Sequence, residues 1–131
     1  MSCSFNINIV NTYTGTGNAQ RVDIAPGSPG DMVHIAMTGP SVKVQLGSFC
    51  AATPGVHVDT KWGGAKTFFG GEGLLMLKCH GTGELWVSSY GAIHAVDVSD
   101  TYTVDTGHIV AFEESLTFTV RKVGGMKSLF F

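Results

Sequence analysis

The chain has 131 residues, a length that favours one domain over two. Its residues are 44% hydrophobic and 14% charged, and 8 Lys and Arg against 10 Asp and Glu give a formal net charge of −2. The apolar content excludes a disordered chain, and the lack of a basic excess argues against a nucleic-acid-binding protein.

Apolar and polar residues alternate along most of the chain, as they do in strands that bury one face. In chain order, strands are predicted at 5–9, 20–24, 32–37, 42–46, 49–52, 56–58, 74–79, 84–89, 92–98, 101–105, 108–112 and 116–120. Glycine and proline residues between these segments, among them Gly39, Pro40, Gly81 and Gly83, predict turns. No segment carries a helical stripe, so the fold class is all-β, with a β-sandwich or flattened barrel as the predicted architecture.

The chain also contains an internal repeat. Residues 42–52 align with 102–112, and 63–69 align with 124–131, at a shift of about 60 residues. This alignment places Gly47 over Gly107 and Gly64 over Gly125. It predicts one domain over 1–131 built from two pseudo-repeated multi-strand units, about 5–69 and 74–131.

Sequence signatures of catalysis are incomplete. Asp105-Thr106-Gly107 is similar to the loop of aspartic proteases, which need two carboxylates, but the repeat places Gln45 at the position equivalent to Asp105. A homodimer could supply the second carboxylate, whereas a turn in which Asp105 caps Gly107 is the simpler interpretation. Lys66 lacks the preceding glycine of a phosphate-binding P-loop. We therefore predict no catalytic residue, no cofactor and no enzymatic activity.

Five histidines raise the question of a ligand or metal site: His34, His57, His80, His94 and His108. They form no His-x-His pair, and no metal ligands are predicted. A pocket between the two units would instead recruit residues of the second unit. The residues predicted to line it are His80, Glu84, Trp86, His94 and His108.

Cysteine usage and the absence of targeting signals predict the compartment. Cys3, Cys50 and Cys79 have neither metal-binding nor redox spacing, and free thiols favour a reducing environment. Residues 1–10 lack the features of a signal peptide, and the apolar run at 73–77 is too short to cross a bilayer. We predict a cytoplasmic protein without a transmembrane segment.

Three stretches carry spaced glycine motifs in one order: "GSFCAATPGVHVDTKWGG" at 47–64, "FFGGEGLLMLKCHGTGELWVSSYGAI" at 68–93 and "VDTGHIVAFEESLTFTVRKVGGMKSLFF" at 104–131. Through them, residues 31–131 resemble the altered-inheritance-of-mitochondria, or mitochondrial biogenesis, family, and in particular its uncharacterised prokaryotic branch. The resemblance implies an all-β fold similar to that of the tryptophan RNA-binding attenuation protein, with homo-oligomers and no established catalytic residues. It does not imply RNA binding.

The same resemblance bears on partners and on the end of the chain. Mitochondrial members of the family are associated with inner-membrane organisation, which implies a possible peripheral membrane partner and, for a eukaryotic chain, a mitochondrial location. Members typically continue beyond the segment that resembles 127–131, so we expect a shortened version, a fragment, or a chain whose missing strand comes from a partner. Leu129, Phe130 and Phe131 are predicted to lie in an oligomer interface, because aromatic side chains are costly to leave in water.

Together these features predict a non-enzymatic β-sandwich scaffold or assembly module that forms homo-oligomers. The alternative is a β-module that binds a small ligand or a metal.

Overall fold

A computed structural model describes residues 10–59 and 76–119. These residues form one five-stranded antiparallel sheet. Its strands are β1 (Met32–Gln45), β2 (Phe49–Ala52), β3 (Val56–Asp59), β4 (Met76–Ser88) and β5 (Ala111–Glu113). Short 3-10 turns at Leu46–Ser48 and Thr106–His108 are the helical elements in these ranges, so the all-β prediction is confirmed for them.

The long strands β1 and β4 form the central pair of the sheet. They pair from Met32 opposite Ser88 to Gln45 opposite Met76, with an irregularity between Gly39 and Val42. Segments 32–37 and 42–46, predicted as separate strands, therefore belong to one strand, and the same holds for the described part of 74–79 and 84–89.

The turns predicted at the glycines of this pair are wrong, because the glycines lie inside the strands. Gly39, Gly81 and Gly83 have φ angles of 136°, 108° and 152°. Glycine at positive φ bends a strand without ending it, since the hydrogen bonding resumes on the other side.

The central pair is strongly bent at these glycines. Gln45 pairs with Met76 at one end of β4, whereas Phe49 pairs with Val87 near the other end. The chain from residue 45 to residue 49 reaches at most about 14 Å. A straight strand from Met76 to Val87 would be about 36 Å long. The two strand pairings add only about 5 Å each to this reach, which is still shorter than the straight strand. The two halves of β4 must therefore turn toward each other.

Short strands flank both edges of the central pair. β2 lies along residues 85–87 of β4, and β3 lies along residues 78–81 of the same edge. β5 pairs with residues 42–44 on the outer edge of β1. A parallel bridge between Gly30 and Gly91 lies outside the named strands.

One hydrophobic cluster joins the two halves of the bent pair. Its buried members are Met37, Val44, Val56, Cys79, Leu85 and Val87. Val44, Cys79 and Leu85 are fully buried. Burying a large aliphatic side chain stabilises the fold by about 1.5–3 kcal/mol, so this cluster holds the bend closed.

Several predicted strands are absent from the described part of the chain. Segments 20–24, 92–98 and 101–105 have no strand, only residues 111–112 of the predicted 108–112 strand pair in the sheet, and residues 116–119 are irregular. Alternation supplies a strand's side-chain pattern but not the neighbour to which it must hydrogen-bond, and these segments lack that neighbour here. The predicted strand at 5–9 lies outside the described residues.

The two 3-10 turns occupy positions that the internal repeat aligns. Gln45 and Asp105, which precede them, have φ, ψ of −61°, 137° and −66°, 138°. Phe49 and Ile109, which follow them, have −69°, 127° and −85°, 128°. The same local backbone thus recurs at Gly47 and Gly107. Superposition of whole units stays a prediction, because Gly64 and Gly125 lie outside the described ranges.

No helix within 10–59 or 76–119 has the length and apolar character that crossing a bilayer requires.

Candidate functional site

The part of the sheet built from β3, β5 and the paired ends of β1 and β4 has two unlike faces. Side chains alternate across a strand, so Val42 and Val44 of β1 face the core with Leu77 and Cys79 of β4. The opposite side carries Met76 and Phe112 together with a group of polar residues, which we call the polar face: Ser41, Lys43, His57, Asp59, Lys78, His80 and Glu114.

Cross-strand register arranges the polar face in two rows. In the first row, Asp59 lies opposite Lys78, and Lys78 lies opposite Lys43. In the second row, His57 lies opposite His80, and their ring centroids are 5.4 Å apart. Directly opposite side chains lie about 5 Å apart at Cβ, so groups from three strands converge on one surface.

An ion pair crosses this face. Lys78 Nζ lies 2.8 Å from Glu114 Oε1, and both side chains are half-buried. Hydrogen bonds from Lys78 first, and then from the Ser41 hydroxyl, lower the pKa of the Glu114 carboxyl below its ordinary value of 4.5. Glu114 therefore stays ionised and fixes the direction of the Lys78 side chain.

Lys43 is buried at the other end of the first row, with only 6% of its surface exposed. Its Nζ lies 5.8 Å from the ring centre of Phe112 and 5.5 Å from that of Phe118. The two rings meet edge to face, 5.1 Å apart at 66°. Attraction between an ammonium and aromatic rings stabilises this burial and holds the segment after β5 over β1.

A cavity of about 380 Å³ opens on the polar face. It is lined by Gly39, Ser41, Asp59, Lys78, His80 and Gly81. Gly39 and Gly81 are register partners at the bend, and a Cβ placed on Gly39 would meet nothing within 4 Å. The missing side chain of Gly39 thus leaves space beside charged groups of both signs, whereas the Gly55 carbonyl fills the corresponding position at Gly81.

A second polar cluster, which we call the His34 cluster, lies on the other half of the central pair. His34 Nε2 contacts Glu84 Oε2, and the His34 ring lies 5.3 Å from the Trp86 ring. The backbone N–H of Glu84 donates to the Thr53 hydroxyl at 2.9 Å. The side chains of His34 and Glu84 are 49% and 45% exposed, so this pair faces solvent.

The residues predicted to bind a ligand lie in different parts of the structure. His80 lines the cavity on the polar face, whereas Glu84 and Trp86 belong to the His34 cluster. His94 is exposed in an irregular segment, and His108 is exposed in the second 3-10 turn. The five predicted residues therefore do not line one pocket.

Sequence reasoning missed three side chains of the cavity: Ser41, Asp59 and Lys78. Part of the signal was present, because Lys78 and His80 are two residues apart. They share a face only because the strand continues past residue 79, where the sequence pattern predicted its end. The contribution of Asp59 depends on strand pairing, which the alternation of single strands does not specify.

Other sequence motifs have structural roles. The Asp105 carboxylate accepts a hydrogen bond from the Gly107 backbone N at 3.1 Å, which confirms the predicted cap. Neighbouring acidic residues 113 and 114 do not form a pair, since Glu113 accepts from Ser115 and Glu114 binds Lys78.

Among residues 10–59 and 76–119, no three His, Cys, Asp or Glu side chains are arranged to hold a metal ion.

Two cysteines lie in the described part of the chain. Burial raises the pKa of the Cys79 thiol to about 11, and Cys50 is a half-buried free thiol. The predicted interface residues 129–131 lie outside the described part of the chain.

Comparison with known proteins identifies the family of this chain. The sequence profile of the family described as Mitochondrial biogenesis AIM24 matches residues 5–131. An uncharacterised protein of Streptococcus pyogenes serotype M6 is 26% identical over 108 residues, which make up 80% of this chain and 44% of that protein. The chain thus spans less than half the length of this relative.

A solved structure shares the architecture. The X-ray crystal structure of a Streptococcus pyogenes protein matches with a TM-score of 0.68 at 24% sequence identity, over 79% of this chain and 46% of that one. This likeness supports the fold. The family profile extends over nearly the whole sequence, and on that ground the chain belongs to the mitochondrial biogenesis family AIM24.

Proposed function

We propose that this chain is a non-enzymatic β-scaffold module that assembles with further copies of itself. The observation that carries the proposal is a set of exposed apolar pairs in segments that have the strand pattern but no strand partner in the described ranges. These pairs, which we call the apolar rows, are Val22 with Ile24, Val96 with Val98, and Tyr102 with Val104.

The exposed fractions of these side chains run from 36% to 57%. Within each pair the residues are two positions apart, the spacing at which side chains share one face of a strand. Large apolar side chains lose free energy when left in water, and unpaired strand segments accept partners at their edges. A second copy presents the same rows, so a self-complementary contact needs no other protein.

The contacts of the acidic residues support a structural role over a catalytic one. Asp105 caps a turn, and Glu114 is held by Lys78. The predictions of a cytoplasmic location and a peripheral membrane partner come from composition and family resemblance. The alternative function, small-ligand binding, is favoured by a different observation, the cavity on the polar face.

Native mass spectrometry and light scattering across a dilution series test the assembly. The wild-type chain is expected to associate at micromolar concentration. Val96→Lys combined with Val98→Lys should weaken association by at least about tenfold, because two apolar contacts are replaced by charges that must be desolvated. The control Tyr13→Ser changes a side chain that is 73% exposed outside the apolar rows, and it should leave association unchanged.

A wild-type chain that stays monomeric at high micromolar concentration would refute the proposal. So would a Val96/Val98 double variant that associates as well as the control.

A further inference from the structure

We propose that the cavity on the polar face binds a small zwitterion, a molecule that carries a carboxylate and an ammonium group on the same carbon. This inference goes beyond the scaffold role and does not depend on assembly. It depends on the sizes, charges and register of the residues at the bend.

The dimensions of the cavity suit a small molecule. Its volume of about 380 Å³ lies at the lower end of the range for ligand pockets, about 300–1,000 Å³. Among the described residues that line it, all except Gly39 and Gly81 carry polar side chains. A compact polar molecule fits this lining better than an extended apolar one.

One wall supplies hydrogen-bond donors for a carboxylate. Lys78 and His80 both line the cavity and lie two residues apart on β4, which puts them on the same face. An ammonium group has three protons, and the bond to Glu114 at 2.8 Å uses one of them. Lys78 can therefore donate to a ligand while Glu114 keeps it in position.

The neighbouring strand supplies an acceptor of opposite charge. Asp59 lines the cavity from β3 and lies directly opposite Lys78 in the register. A carboxylate has about four lone-pair sites, so it can accept an ammonium proton in addition to its other contacts. Positive and negative groups thus stand about 5 Å apart at Cβ across the strand pair.

The opposite charges of Lys78 and Asp59 favour one class of ligand over others. A simple anion bound at Lys78 would lie near the carboxylates of Asp59 and Glu114, and a simple cation bound at Asp59 would lie near Lys78. Like charges at such distances are unfavourable. A zwitterion presents each of its charges to the opposite charge on the protein.

Three matched probes test the proposal by isothermal titration calorimetry on the full chain at neutral pH. L-serine carries a carboxylate, an ammonium and a hydroxyl group; lactate lacks the ammonium group, and ethanolamine lacks the carboxylate. L-serine is expected to bind at least about tenfold more tightly than either of the others, the effect of one charge-assisted hydrogen bond.

Single substitutions test which residue binds each charge of the ligand. Asp59→Asn should remove the advantage of serine over lactate, and Lys78→Met should remove its advantage over ethanolamine. His80→Phe, which removes the ring N–H donor and leaves the Lys78–Glu114 ion pair in place, should weaken serine binding even if Lys78→Met fails to fold. The control His94→Gln changes an exposed histidine that does not line the cavity, and it should leave every affinity unchanged.

Three results would overturn the inference. The first is an affinity for serine weaker than about 10 mM, the range of non-specific contacts. The second is equal affinity for the three probes. The third is a folded Asp59→Asn chain that still prefers serine to lactate by the wild-type factor.

Discussion

Gly39 and Gly81 offer a matched test of how the central strand pair bends. They lie opposite each other in the register, at φ angles of 136° and 108°, so both occupy backbone conformations that other residues rarely adopt. The change is a single methyl group, Gly39→Ala or Gly81→Ala. The two sites differ in the surroundings that this methyl group would meet.

At Gly39 the added Cβ would have nothing within 4 Å, so Gly39→Ala costs only the conformational strain. For a non-glycine residue at such a positive φ, that strain is about 1–3 kcal/mol. At Gly81 the added Cβ would also overlap the backbone carbonyl oxygen of Gly55. This oxygen accepts a hydrogen bond from Thr82 N at 3.1 Å and cannot move without losing it.

We therefore expect Gly81→Ala to cost about 1–3 kcal/mol more than Gly39→Ala, because the overlap with Gly55 adds to a similar strain. Urea unfolding followed by circular dichroism measures both values, provided that the slopes match and the transitions are two-state. Equal losses at the two positions would show that the close approach of residue 55 does not restrict residue 81. A neutral Gly81→Ala would refute the proposed cause of the bend.

Four further predictions concern titration, thiol reactivity and the chain end. Because burial raises the pKa of Cys79 above the ordinary value of 9, the stability that goes with the protonated thiol is fully present below pH 9 and should be lost as pH rises towards about 11. A thiol reagent should modify Cys50 before Cys79 at neutral pH, and equal rates at these two residues would contradict the burial of Cys79. The lowered pKa of Glu114 gives stability that is present above pH 4.5 and lost as pH falls, so Glu114→Gln should flatten the acid side of the stability profile; an unchanged profile would argue against the contact with Lys78. Deletion of residues 129–131 should weaken association in light scattering more than it reduces the far-ultraviolet β-signal, whereas unchanged association would place the interface elsewhere.

Alternation along the sequence was sufficient to predict the faces of the strands. Val42 and Val44 point to the core and Lys43 to the polar face, as a period of two requires. Alternation was insufficient for the strand boundaries. Gly39 and Gly81 predicted turns, yet each lies within a continuous strand, because a glycine at positive φ can either end or bend a strand.

For the candidate site, too, the sequence determined some features and the tertiary structure determined others. The sequence alone determined the all-β fold class and the family resemblance, because these follow from patterns along the chain. Only the tertiary structure decided that Asp59 lies opposite Lys78, that Glu114 reaches the same lysine, and that His94 and His108 lie elsewhere. The physical reason is that register is set by hydrogen bonds between distant segments, and a slip of one residue would turn every side chain of a strand to the other face.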